Sequence, residues 1–257
     1  MANDRQQRAA RAEQMRKDRE KAEKRQRNVI TIGIVAVVAV LIAGAAFAVN
    51  QVSSQNEKDL ADNTPANTTD DYGIVYTAED AGGTVPEGTE PVSVELYEDF
   101  QCPACRSFEE ISSSFLKEQV KSGAISITYR PFSFLDENGA SPNEYSHRST
   151  NVALCALDAG GVGDYVKVHD YLYANQPEEG TPGPENGELA DAVEGLGVTG
   201  LESCIRTERF NKWVDAAKDA GTERGVNSTP TVYVDGKVVE NPSPQTLQDA
   251  IAAAAKA

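Results

Sequence analysis

The chain has 257 residues and a formal charge of −16, long enough for one large or two small domains and too long to rely on a small disulfide scaffold. The charge is unevenly divided: residues 1–27 carry ten Lys/Arg against five Asp/Glu, and residues 50–257 fourteen against thirty-five. An acidic body of this kind excludes broad affinity for nucleic acid or anionic surfaces, and the acids scattered through the basic arm argue against nucleic-acid binding there as well.

Taken in chain order, the basic arm (1–28) leads into "VITIGIVAVVAVLIAGAAFAV", residues 29–49, which are 21 residues without a charge. As a helix this run spans a hydrocarbon core of roughly 30 Å, so one transmembrane helix is expected. The Lys/Arg-rich flank on its N-terminal side predicts a cytoplasmic N-terminus and an exported C-terminal part. The alternative is a cleaved leader, because Ala46-Phe47-Ala48 has the small-x-small form of a cleavage site. Export bears on the four cysteines, since disulfides persist outside the cytoplasm.

Residues 50–88 are polar, acidic and interrupted by Pro and Gly, with only "YGIVYT" reading as a short strand. A flexible tether is expected, with a random-coil span on the order of 35 Å. From Pro91 the pattern tightens: Val92, Val94 and Leu96 alternate over polar neighbours as a strand requires. A helix is predicted from Pro103 to Lys121, with Phe108, Ile111, Phe115, Leu116 and Val120 on its apolar face and Gly123 as its stop. A second strand follows from Ala124 to about Tyr129, completing a strand-helix-strand unit that defaults to a parallel crossover.

Residues from about 140 to 224 show helical spacing and no convincing strand. Strand character returns in "TPTVYVDGKVV", where Asp235-Gly236 signals a hairpin. A final helix begins after Ser243 as N-cap, with Pro244 at its first position. The fold class expected is α/β.

The pair Cys102-Pro103-Ala104-Cys105 stands where the strand passes into the helix. Pro103 suits the first turn, so Cys102 occupies the helix N-terminus, where the dipole and free N–H groups favour a thiolate. Cys105, one turn in, is the natural resolving thiol. Two other readings compete. A zinc site wants four Cys/His ligands, usually as two close pairs, and Cys155, Cys204, His147 and His169 do not supply them. An inert crosslink leaves the strand-to-helix position unexplained. Cys155 and Cys204 are either joined in a structural disulfide closing the helical block, the reading preferred here, or two free buried cysteines.

Several weaker features take ordinary explanations. "GLGVTG" at 195–200 follows a helix rather than a strand and so does not read as a dinucleotide site. His147 and His169 are expected to be ordinary helix residues, and Trp213 and the tyrosines core. The Thr229-Pro230 bond directly before a strand is a candidate cis bond.

Taken together, "ELYEDFQCPACRSFE" and "GVNSTPTVYVDG" on either side of a helical block resemble the DsbA-like thiol:disulfide oxidoreductases of the thioredoxin superfamily, in particular their membrane-anchored actinobacterial type. The resemblance covers most of residues 89–257 and implies a thioredoxin-like fold with a helical insertion at about 140–224. It implies that Cys102 forms the mixed disulfide with substrate and Cys105 resolves it. Pro103 and Ala104 support the pair, Pro230 is cis beside it, and the backbone of Thr229 holds the substrate peptide. It adds weight to the pairing of Cys155 with Cys204.

This sequence departs from the family at two positions. Ala104 stands where many relatives have His or Tyr, and Leu96 where relatives often have a buried carboxylate, so Glu98 or Asp99 is a candidate to shuttle the proton of Cys105. The implied activity is a disulfide oxidase acting on reduced exported proteins, reoxidised by a quinone-linked membrane oxidoreductase. The rivals are a reductase or isomerase, for example in cytochrome maturation, and a chaperone or binding module with a structural CxxC. No cofactor and no metal are expected, and a monomer is.

Overall fold

The computed structural model describes residues 63–256 except 138, together with residue 60 and a subset of positions between 11 and 51. The chain divides into Met1–Lys58 and Asp59–Ala257. Described positions of the first unit are helical and exposed. Among the described residues no helix is long and apolar enough to cross a membrane, and most of the expected spanning segment, 29–49, lies outside them.

The second unit is built on one mixed sheet. Its centre is β2 (Val92–Glu98), followed by α1 (Pro103–Lys121) and then β3 (Ile125–Pro131), which lies parallel to β2 with Leu96 opposite Tyr129. On the other side of β2 runs β4 (Thr231–Val234), antiparallel, with Leu96 opposite Val232. The two-residue β5 (Lys237–Val238) closes that edge. The alternation along β2 ends at Tyr97 and Glu98, which are both buried, as a central strand covered on both faces requires.

Between β3 and β4 the described residues form five helices: α2 (Tyr145–Gly160), α3 (Val162–Ala174), α4 (Asn186–Gly195), α5 (Glu202–Arg206) and α6 (Asn211–Glu223). The last helix, α7 (Pro244–Ala254), starts at Ser243, whose hydroxyl accepts from the backbone N–H of Thr246. Asp235 and Gly236 take φ of +50° and +72°, the left-handed pair that a two-residue hairpin needs.

Two expectations are corrected. The tether assigned to residues 50–88 contains β1 (Ile74–Tyr76), which pairs antiparallel with β3 as the outer strand and buries Ile74 completely. The β-branched run overrides the polar composition around it because the open edge of β3 offers unpaired backbone groups. On α1 the buried face is Cys105, Phe108, Glu109, Ser112, Leu116 and Val120. Ile111 is 59% exposed, since at 3.6 residues per turn it falls about 120° from the centre of that stripe. A carboxylate, Glu109, takes a place in the middle of the face. The helix stops at Gly123, with φ +76° and a Cβ position that would collide with the backbone of Thr84 and Val85.

Candidate active site

Cys102 is the N-cap of α1, with extended φ/ψ, and Pro103 occupies the first turn. Pro103 and Ala104 are exposed, whereas both cysteines are buried as free thiols. The Thr229-Pro230 peptide bond is cis and leads into β4. Because β4 pairs with β2, Thr229 arrives against the cysteine: Cys102 Sγ donates to the Thr229 carbonyl at 3.4 Å.

The two thiols differ in acidity. Hydrogen bonding from Cys105 lowers the Cys102 pKa to about 6; burial opposes it, and the Thr229 side chain and the backbone N–H groups of Cys105 and Ala104 assist. The thiolate of Cys102 is thus favoured over that of an ordinary cysteine. Ala104 contributes its backbone N–H alone. Burial pushes Cys105 well above its ordinary value, and its bond to Cys102 and the charge of Glu98 push the same way. One thiol is poised to attack and leave, and the other to hold its proton.

The two candidate carboxylates diverge. Asp99 Oδ1 accepts from the backbone N–H of Gln101 at 2.8 Å and the hydroxyl of Ser146 at 2.6 Å, and Oδ2 from the backbone N–H of Leu135 at 3.0 Å. Burial nevertheless raises its pKa to about 6 against those bonds. Asp99 therefore ties the strand end to the entry of the helical block. Glu98 instead points to His169 on α3, Oε2 to Nε2 at 3.2 Å, and the ligand atoms of Glu98, His169 and Glu109 on α1 lie within 4.8 Å of one another. Burial first, then the charge of Glu98, lifts Glu109 to about 8. Burial works against a charged His169, but hydrogen bonds to Asp170 and Glu98 outweigh it and carry the imidazole to about 10. Among the described residues Glu98, Glu109 and His169 form a group able to hold a metal ion.

The helical block also reaches the site through residues that carry no local signal. Gln176, just beyond α3, donates from its side chain to the Cys102 carbonyl at 3.0 Å. Gln101 donates to the carbonyls of Glu178 at 3.2 Å and Thr181 at 2.9 Å. The pair Cys155 on α2 and Cys204 on α5 forms a disulfide with Cα atoms 6.0 Å apart. It staples the block to itself, and the block in turn holds the CPAC turn.

A thioredoxin family profile matches residues 87–253. Disulfide bond formation protein D of Bacillus subtilis is 25% identical over 159 residues, which are 59% of this chain and 66% of that protein; the chain thus spans about two-thirds of that relative's length. Two solved structures from Mycobacterium tuberculosis are similar to this chain. Oxidised DsbA shares 28% identity at a TM-score of 0.60, covering 72% of this chain and 93% of DsbA. The reduced disulfide bond oxidoreductase DsbG shares 26% at 0.59, covering 72% and 92%. With the profile matching well over half of its length, the chain belongs to the thioredoxin family, among its DsbA-like members.

Proposed function

We propose that the protein is a thiol:disulfide oxidoreductase, working as an oxidase on reduced exported proteins. The observation that carries the reading is the asymmetry of the pair: Cys102 acidic at the N-terminus of α1 beside Thr229, Cys105 buried with a raised pKa. The names of Disulfide bond formation protein D and of the DsbA and DsbG structures support the same chemistry.

In the oxidised enzyme a substrate thiolate attacks Cys102 Sγ. The Cys102–Cys105 bond breaks, its electron pair passes to Cys105, and Cys105 takes up a proton, with Glu98, whose charge acts on it, as the proposed carrier. A second substrate thiolate then attacks the substrate sulfur of the mixed disulfide and expels Cys102, a good leaving group because its pKa is low. The substrate is oxidised by two electrons and the enzyme reduced by two. A quinone-linked membrane oxidoreductase is the proposed acceptor for those electrons. Residues 29–49 are the proposed anchor, with the catalytic unit outside the cytoplasm.

Oxidative refolding of a reduced, disulfide-containing client tests the reading. The intact protein should accelerate it stoichiometrically, and Cys102→Ser should abolish the effect. No acceleration by intact protein would remove the oxidase, and equal rescue by Cys102→Ser would favour a binding module. Ala104, which adds no side-chain donor to the thiolate, favours a weaker oxidant and hence a reductase or isomerase as the second reading. The reduction potential of the Cys102–Cys105 pair separates the two.

A further inference from the structure

We propose that Glu98, Glu109 and His169 bind one divalent transition-metal ion of the zinc class. The three come from β2, α1 and α3, are 6%, 7% and 1% exposed, and offer ligand atoms all within 4.8 Å of one another. One imidazole nitrogen and two carboxylates form a donor set suited to Zn²⁺, Mn²⁺ or Fe²⁺ rather than to Ca²⁺, which takes oxygen ligands.

Four further observations point to a cation. The Glu98 and Glu109 ligand oxygens lie within 4.8 Å of each other with both side chains buried, a spacing at which a cation between them relieves the repulsion of two carboxylates. Glu98 Oε1 is buried without a hydrogen-bond partner. Glu98 Oε2 and His169 Nε2 stand 3.2 Å apart, within the range of about 3.0–3.4 Å expected for two neighbouring ligands bound at roughly 2.1 Å. The other imidazole nitrogen, Nδ1, faces Asp170 Oδ1 at 3.4 Å, and Asp170 is gripped by Lys117 at 2.5 Å. A metal-bound histidine is generally oriented by such a carboxylate.

The setting fits as well. The rings of Tyr129, Tyr165, Tyr173 and Phe100 surround the imidazole, which keeps water from competing for the ligands. A cleft of about 370 Å³ between α1 and α3, lined in part by Glu109, Lys117, Asp170 and Tyr173, gives entry from the surface.

The test uses the full chain in detergent, stripped with chelator and with both cysteine pairs oxidised so that no thiolate competes. It reads no redox activity, so its outcome is independent of the proposed function. Zn²⁺ titrated by calorimetry should bind at one ion per chain at micromolar concentration or below. The chain has two histidines, so imidazole NMR resonances identify the ligand: His169 should shift on Zn²⁺ addition and His147 should not. Glu109→Gln and Asp170→Asn should each weaken binding tenfold or more, and His147→Gln should leave it unchanged. Absence of stoichiometric binding, an unmoved His169 resonance, or Zn²⁺ affinity indifferent to Glu109→Gln would overturn the site and leave a proton-sharing cluster only. If Glu109→Gln fails to fold, the His169 resonance of the unmodified protein decides alone.

Discussion

At the scale of single residues, the division of labour between Cys102 and Cys105 rests on one helical turn. Cys102 sits where backbone N–H groups have no partner within the helix, and Cys105 where burial penalises charge. The sign of the pH dependence follows. A lowered pKa keeps the thiolate at all pH above it, so the alkylation rate of reduced protein should be half-maximal near pH 6 and approach a plateau above about pH 7. Mass spectrometry should find the label on Cys102, with Cys105 protected. A profile rising only at the pH of an ordinary thiol would contradict the asymmetry. The spacing of the two cysteines and Pro103 made this pair legible, because capping is local. Glu109 and His169 carried no such signal: one is an acid amid an apolar face, the other a histidine in a helix, and their partners are remote in sequence.

At the scale of elements, β1 and the Cys155–Cys204 crosslink show how distant segments are tied down. Ile74 is fully buried in a strand of three residues, and Ile74→Ala should cost about 2–5 kcal/mol in urea unfolding. A free tether would show no change. The disulfide closes a separation of 49 residues, for which loop-closure entropy suggests a stabilisation of at most about 4 kcal/mol. The double variant Cys155→Ser/Cys204→Ser should therefore unfold at clearly lower urea concentration, while the alkylation profile of Cys102 stays near that of the parent. The helical block, the final helix and its Ser243 cap were readable from period and capping residues. The edge strand was readable as a strand, but its place in the sheet was not, because pairing depends on the free edge of β3.

At the scale of the whole molecule, the basic arm and the charge-free run at 29–49 support a proposed anchor with an exported catalytic unit. A phosphatase reporter fused after residue 257 should be active only outside the cytoplasm. The protein should resist extraction from membranes by alkali, and its N-terminal sequence should show no cut near Ala48. A soluble product starting just after that position would establish the cleaved leader instead.

What the sequence alone determined is local chemistry: a strand running into a Pro-started helix with a cysteine at its cap, a Thr-Pro before a strand, and helical periodicity between them. These follow from interactions a few residues long, which composition and spacing record. The tertiary structure decided which remote groups meet. It brought Thr229 to Cys102 through β2–β4 pairing, turned Asp99 into a fastening and Glu98 into a partner of His169, and buried Glu109 on a face that looked apolar. Such encounters depend on sheet register and on how helices cover the strand ends, and no short stretch of chain encodes them by itself.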